Sequence, residues 1–423
     1  MLFIRSVNTN LTNLYSVNQF PMDAVRKRLS DRFDRFQSLS QDRGLDVASV
    51  AALKYVIPDR IANVPEVKFT LNCLMDWRKE QVDFSTAAAF YRDGFFSSTA
   101  TVYDFEEYDV DAYVTDFERC KYGWKVNGAG KEFLTDKVKF HELLENRGFE
   151  EFLPRRYGTL HKGVFTGKTG DFGALVREEE SIVVKKRRGG GGSDVHVCAF
   201  ENGSYRFDGE PIRGDELIGR LGATEYLVTE YCEAGSYALA LFPDAASTIR
   251  AITMNPTDRK PFVVFATHRL ATARSAPLDN FAAGGISTQL DDNGQLGIGL
   301  WAKDGELRQC EVHPDTCTRI PGTTVPGWST IRDQILEIAE AIPECPYVGW
   351  DIIVTGDGEM KIIEGNANTG VELQIHQPLL TEQRVRSFYE DHGLQPNATP
   401  TDILRTRSTA HRRPAKSDGT VTI

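Results

Sequence analysis

The densest chemistry in the chain lies in VGWDIIVTGDGEMKIIEGNANTG, residues 348–370. Asp351-Ile352-Ile353-Val354 and Lys361-Ile362-Ile363-Glu364 read as two strands, and Gly356-Asp357-Gly358 supplies turn residues between them. If the hairpin closes on residues 356–359, Thr355 pairs with Met360. Counting back then sets Asp351 opposite Glu364, on one face and about 5 Å apart at Cβ. Two carboxylates so placed repel each other unless a cation lies between them. Asn366 returns to the same face two residues later. Asp, Glu and Asn are hard oxygen donors that suit magnesium bound together with phosphates. Asp351, Glu364 and Asn366 are therefore the candidate metal ligands, and Asp357 shapes the turn. The plain alternative is a hairpin whose acids face solvent. The apolar flanks and the phase of Asn366 favour the metal site.

A second segment joins a strand, Ile182-Val183-Val184-Lys185-Lys186-Arg187-Arg188, to Gly189-Gly190-Gly191-Gly192-Ser193-Asp194, and VHVCAF follows directly. Glycine lets backbone amides approach a polyphosphate with no Cβ in the way. A lysine at the base of the loop neutralises phosphate charge. No GKS or GKT follows and no helix starts there, so this is neither a Walker A loop nor a dinucleotide-binding loop. Alone, the glycine run fits a flexible hairpin equally well, and KKRR fits a solvated charge cluster or a targeting patch.

The elements that must position these groups can be read along the 423 residues, enough for two to three domains. Residues 1–95 are helical in pattern and carry no catalytic motif. Residues 97–125 look strand-like and aromatic. A helix is expected over 135–147, capped by Thr135, stopped by Gly148, with Val138, Leu143 and Leu144 on its apolar face. SIVVKK, VHVCAF, EYLVTEYC, STIRAITM, PFVVFATHRL and GQLGIGLWA read as strands, and WSTIRDQILEIAEAI, 328–342, as a helix. The tail from Asn397 is rich in Thr, Arg, Ser and Pro and is expected to be disordered.

A net charge of −11 argues against general nucleic-acid binding. Seven dispersed cysteines, an odd number without a CxxC pair, argue against a disulfide framework or a cysteine zinc site. No signal peptide and no membrane span are expected, and the reading is a cytoplasmic protein with reduced thiols.

Taken together these blocks resemble the ATP-grasp superfamily over roughly residues 120–380. DNFAAGGI (279–286), EVHPDTCTRIPGTTVPGW (311–328) and VGWDIIV followed by IIEGNANTG are similar to its sugar-transfer-associated, alpha-L-glutamate ligase-related branch. The resemblance implies an α+β fold in which two lobes clasp ATP, with a helical region at 1–95. It also implies an N-terminal part of the core at 96–160, a small lobe with the glycine loop at 161–235, a large lobe with the metal site at 236–395, and the tail at 396–423. ATP and Mg2+ are the implied cofactors.

On this resemblance, Lys137 of Thr135-Asp136-Lys137 contacts phosphate, with Lys139 as the weaker candidate. Lys185, with Lys186 behind it, does so from the strand before Gly189, Gly190, Gly191 and Gly192. The adenine-holding hinge resembles Thr229-Glu230-Tyr231-Cys232. Backbone around Glu230 and Cys232 would read the base, and Glu233 would reach the ribose. Arg250 would steady the transferring group, with Arg269 and Arg274 as looser candidates. Many relatives carry a basic residue just after the E-x-N motif, whereas Ala367-Asn368-Thr369 stands here, and His376 is the available substitute.

The implied reaction is an ATP-dependent carboxylate–amine ligation through an acyl phosphate, on small-molecule acid and amine substrates. A phosphotransferase on the same fold, or a non-catalytic nucleotide-binding protein, are the alternatives. Oligomeric state and the identity of both substrates are not specified.

Overall fold

A computed structural model of the chain describes residues 65–80, 83–167, 169–190, 195–303, 306–356, 358–370 and 372–393. The expected disordered tail, most of the region at 1–95, and Gly191, Gly192, Ser193, Asp194 and Asp357 lie outside the described residues. Two units partition the chain, residues 1–81 and 82–423. In the first, helix α1 spans Pro65–Glu80.

The second unit begins with α2 (Phe84–Asp93), capped by Asp83 and stopped by left-handed Gly94. Residues 97–125, expected as strands, form short helical turns at Ser97–Ala100, Val110–Ala112 and Asp116–Glu118 instead. The reason is that the aromatic residues pack on one another rather than along a pleat. Phe95, Tyr103, Phe105 and Tyr113 form one cluster, with Tyr103 and Tyr113 stacked at 4.5 Å. Thr115 and Glu118 then close a capping box that commits the next residues to helix.

Helix α3 (Lys131–Thr135) leads into α4 (Lys137–Glu145). Asp136, not Thr135, caps α4, accepting hydrogen bonds from the Val138 and Lys139 amides. The segment from Gly130 to the start of α3 passes tightly under the loop before the later strand pair. A Cβ at Gly130 would stand 1.8 Å from the Glu344 carbonyl oxygen.

Two seven-stranded antiparallel sheets follow. The first contains β1 (Arg156–His161), β2 (Val164–Gly167), β3 (Ser181–Lys186), β4 (Val195–Glu201), β5 (Ser204–Phe207), β6 (Glu210–Ile212) and β7 (Glu225–Glu230) in the order β2-β1-β7-β3-β4-β5-β6. It starts at Arg156, so the boundary expected at 160/161 falls inside β1. Helix α5 (Phe172–Glu179) covers one face, burying Phe172, Leu175 and Val176 against Ile182, Val184, Cys198 and Val228.

The hinge segment 231–235 connects to α6 (Ser236–Leu241) and the second sheet. That sheet contains β8 (Thr248–Met254), β9 (Phe262–Leu270), β10 (Ile286–Leu290), β11 (Leu296–Lys303), β12 (Glu306–Cys310), β13 (Tyr347–Val354) and β14 (Met360–Asn366), ordered β12-β11-β10-β9-β8-β13-β14. Helix α7 (Trp328–Ala341) packs Trp328, Ile331, Ile335 and Ile338 onto Ile249, Ala251, Trp350 and Ile352, together with Phe140 and Leu144 of α4. Helix α8 (Gln383–Asp391) closes a smaller core with Val385 and Phe388. Because side chains alternate along a strand, burying Trp350 and Ile352 on one face turns Gly349, Asp351 and Ile353 to the other. Cys198, Cys232, Cys310, Cys317 and Cys345 are free thiols, and no described helix is long and apolar enough to cross a membrane.

Since the oxygen met at Gly130 is backbone and cannot swing away, Gly130→Ala should destabilise the second unit by about 1–3 kcal/mol. Urea unfolding of the two proteins, compared at equal m-value, measures this.

Candidate active site

The face of the second sheet that carries Asp351 assembles a row of charge. Antiparallel register sets Arg250 of β8 beside Asp351 of β13, and Glu364 of β14 on its other side. The pairing of Asp351 with Glu364 arises differently from the simple count. The hairpin is shifted by one residue: Val354, not Thr355, pairs with Met360, and the Thr355 amide donates to the Glu359 carbonyl at 2.9 Å. Continued regularly, that register would set Asp351 against Ile363. A bulge absorbs Ile363 and brings Glu364 across from Asp351. Lys185 Nζ, reaching from the first sheet, lies 3.4 Å from the Ile363 carbonyl. So the bulge both sets the carboxylate pair and gives the facing sheet a contact.

Asp351 is held on three sides. Arg250 donates from Nε at 2.5 Å and from Nη2 at 3.0 Å, Arg269 Nη2 stands at 3.1 Å, and Asn366 Nδ2 donates at 3.3 Å. Burial pushes this carboxyl's pKa up, but the adjacent Arg250 and Arg269 guanidiniums outweigh it and hold it down at about 2. Arg269 is placed by a second acid. Asp279 stands 3.6 Å from its Nε and also accepts from the Thr248 amide at 2.9 Å and from the Thr248 hydroxyl. Burial raises the Asp279 carboxyl.

The lysines converge on the other end of the row. Lys137 Nζ is 3.0 Å from Glu364 Oε1 and donates to the Gly189 carbonyl at 3.0 Å. Lys139 turns instead to Glu132 at 2.9 Å. Lys185 is buried, and its pKa is lowered by that burial even though Glu364 and Asp351 oppose the shift. Gly189 enters the loop at φ +154°, a conformation that a side chain would resist. Gly190 is open around its Cα.

The hinge residues Glu230, Tyr231, Cys232 and Glu233 run from the end of β7 toward α6. Glu230 turns its carboxylate to the Arg155 amide at 3.0 Å, and its own amide donates to the Arg155 carbonyl at 2.9 Å. Tyr231 and Glu233 are exposed. Cys232 packs with Ala234, Ala238, Ile353 and Ile363 into an apolar floor, and burial pushes its thiol up to about 11. A groove of about 540 Å3 opens beside the hinge between Arg155, Arg156, Glu230 and Lys361.

Two looser candidates drop away. Arg274 is exposed and packs over Gly284, apart from the row. His376 is half-buried beside Phe265 and Ser287, with burial lowering its pKa to about 4. From the sequence alone Asp279 reads only as part of DNFAAGGI and Thr248 only as part of a strand; pairing of β8 with β9 sets Thr248 beside Arg269, and the segment between β9 and β10 returns Asp279 to both. Nor does the sequence point to His141, buried near Lys185 and lowered to about 3 by burial and by that lysine.

Among the described residues no group of three His, Cys, Asp or Glu is disposed to hold a metal. A pair of carboxylates with an asparagine fits magnesium nonetheless, because that ion takes one or two carboxylates and completes its shell with waters and phosphate oxygens. The excess of Lys and Arg over carboxylates on this face suits a polyphosphate.

Arg250→Met would leave Asp351 buried with half of its countercharge removed. It should cost roughly 3 kcal/mol of stability, read by thermal or urea unfolding at pH 7. The lowered carboxyl stabilises the fold above the ordinary carboxylate range, and that contribution is lost as pH falls toward about 2. The gap between wild type and variant should therefore narrow in acid. For Lys185 the sign is opposite: a lowered pKa loses the charged form early, and with it the attraction that a lysine would offer a phosphate. ATP affinity should fall as pH rises, beginning below the ordinary lysine range near about 10.4, and Lys185→Arg should shift that fall upward.

Comparison with known proteins places this arrangement. No curated protein matches the chain. Among solved structures, the ATP-grasp ligase PsnB, complexed with minimal precursor, Mg and ADP, matches at 13% identity and TM-score 0.30, over 63% of this chain and 61% of that one. The purK protein, N5-carboxyaminoimidazole ribonucleotide synthetase, as its ADP complex, matches at 11% identity and TM-score 0.32, over 59% and 52%. D-alanine-D-alanine ligase from Coxiella burnetii matches at 12% identity and TM-score 0.32, over 66% and 62%. The chain thus spans about three fifths of the length of the first of these structures. The model of the sugar-transfer associated ATP-grasp family matches residues 120–387, which take in both sheets and every charged group of the row. The chain belongs to the sugar-transfer associated ATP-grasp family.

Proposed function

We propose that the protein is an ATP-dependent ligase that activates a substrate carboxylate as an acyl phosphate and couples it to an amine. The observation that carries this reading is the convergence of Lys137 and Lys185 with Arg250 and Arg269 on the opposed pair Asp351 and Glu364. Cations from four separate elements meet there, around two opposed carboxylates.

In this reading Lys137, Lys185 and the backbone from Gly189 onward hold the phosphates of ATP. Backbone of the hinge at Glu230, Tyr231 and Cys232 receives the base over the apolar floor, with Glu233 near the ribose. Asp351, Glu364 and Asn366 would hold magnesium, which would supply positive charge beside the phosphates. Arg250 and Arg269, locked by Asp351 and Asp279, are oriented before substrate arrives and stabilise charge that develops on the transferring group. Nucleophilic attack by the substrate carboxylate on the terminal phosphorus releases ADP. The amine then attacks the acyl carbon and phosphate leaves. Catalysis on this account is mostly placement and charge complementarity. Lys137 now bonds Glu364 and the Gly189 carbonyl, so it must exchange those partners when phosphate and metal enter. Carboxylates and amines of small molecules or peptides are the proposed substrates.

ADP release with magnesium should require both an acid and an amine, give a condensed product by mass, and fall at least a hundredfold in Glu364→Ala, the order expected for a lost metal ligand or charge-stabilising group. Release that needs only one acceptor, ending as a phosphorylated hydroxyl, would replace the ligase reading with a kinase. Tight ATP binding without turnover on any acid and amine pair would replace it with a non-catalytic nucleotide-binding protein.

A further inference from the structure

The run Lys185-Lys186-Arg187-Arg188 has only Lys185 accounted for by phosphate binding. Its two arginines are committed elsewhere. Arg187 Nε lies 2.9 Å from both oxygens of Asp136, and Arg188 Nη2 reaches the same carboxylate at 2.9 Å. Asp136 has no solvent exposure. A buried carboxylate with two guanidiniums and two helix amides on it is fully engaged. Backbone adds to the junction: the Lys137 amide donates to the Arg187 carbonyl at 3.0 Å. Beyond it, Lys137 Nζ reaches the Gly189 carbonyl. On the far side, Arg187 pairs with Glu225 of β7 at 3.2 Å, and its amide donates to the Glu225 carbonyl at 2.8 Å.

The two lysines assigned to phosphate therefore stand on elements that touch through this junction. Lys185 is two residues before Arg187 on β3, and Lys137 is the residue after Asp136, at the first turn of α4. Were the junction absent, the start of α4 and the end of β3 would be tied by the ammonium of Lys137, which must change partners when nucleotide binds, and by exposed Glu132, which pairs with Arg188 and with Lys139 of α4. Four consecutive cations would also repel one another without a carboxylate to hold two of them.

We infer that Asp136 and Arg187 are positioning residues: their ion pair fixes the separation of the Lys137 and Lys185 ammonium groups and thereby sets affinity for the β- and γ-phosphates of the nucleotide. The inference rests on the ATP-binding reading of this site, though not on ligase chemistry. It gives the basic run a structural task in place of a solvated or targeting patch.

The test is nucleotide binding by calorimetry with ADP, the non-hydrolysable ATP analogue AMPPNP, and AMP, each with magnesium. Asp136→Asn removes the charge that pairs with Arg187 but keeps a good helix cap, so α4 is retained. Arg187→Gln removes the other partner. Both variants should bind ADP and AMPPNP more weakly by roughly ten- to a hundredfold, the usual cost of losing the shell that supports a charged site, while AMP affinity holds. The double variant should fall no further than Asp136→Asn alone, which already breaks the Arg187 pair. Asp292→Asn, which breaks the ion pair with Arg332 of α7 and touches none of these residues, should bind ADP as the wild type does. The inference is overturned if Asp136→Asn and Arg187→Gln bind ADP like the wild type, or if AMP and ADP affinity drop equally, which would mean general damage. Wild-type protein that binds none of the three nucleotides would instead sink the ATP reading beneath it.

Discussion

Burying the carboxylate of Asp351 on an inner strand imposes most of what surrounds it. Taking a charge out of water costs several kcal/mol unless partners replace the solvent. Here the replacement comes from Arg250 and Arg269, and neither is near Asp351 in sequence. They can serve only because β13, β8 and β9 are adjacent and in a register that sets Arg250 beside Asp351, with Arg269 one step along the same face. Arg269 in turn needs Asp279, and Asp279 is brought to it by the segment between β9 and β10. The result is an alternating series of acids and bases whose orientation is set by folding.

The second constraint is that one sheet must present its cations to the other. Lys185 belongs to the first sheet and meets the carbonyl of Ile363, the residue that the bulge removes from the ladder of the second. A regular hairpin would bring Ile363 opposite Asp351 and move Glu364 out of the pair. The irregularity is thus part of the site. Lys137 completes the junction from a helix, bridging Glu364 and the first described part of the glycine loop. Cations from different elements then surround a small acidic centre.

Much of this was legible in the sequence. Alternation and turn residues located β3, β4, β7, β8, β9, β13 and β14, and α7 followed from its apolar spacing. The types and order of Lys137, Lys185, Asp351, Glu364 and Asn366 narrowed the chemistry, because few functions need two carboxylates, an asparagine and separated lysines together. Even the opposition of Asp351 and Glu364 was reached, though through a register that the chain does not use. The short strands β1, β2, β5, β6, β10 and β12 carried too little pattern to stand out, and the aromatic residues at 97–125 imitated a strand because hydrophobicity alone does not reveal which neighbours a side chain will find.

What the sequence by itself determined is therefore the local backbone and the inventory of charge, since both follow from propensity and residue type. The tertiary structure decided the partners. It gave Lys139 to Glu132 and Lys137 to Glu364, set His376 against Ser287, and turned Arg187 and Arg188 onto Asp136. Each of these depends on distance and desolvation between residues remote in the chain, and those quantities exist only after the strands have paired and the two sheets have met.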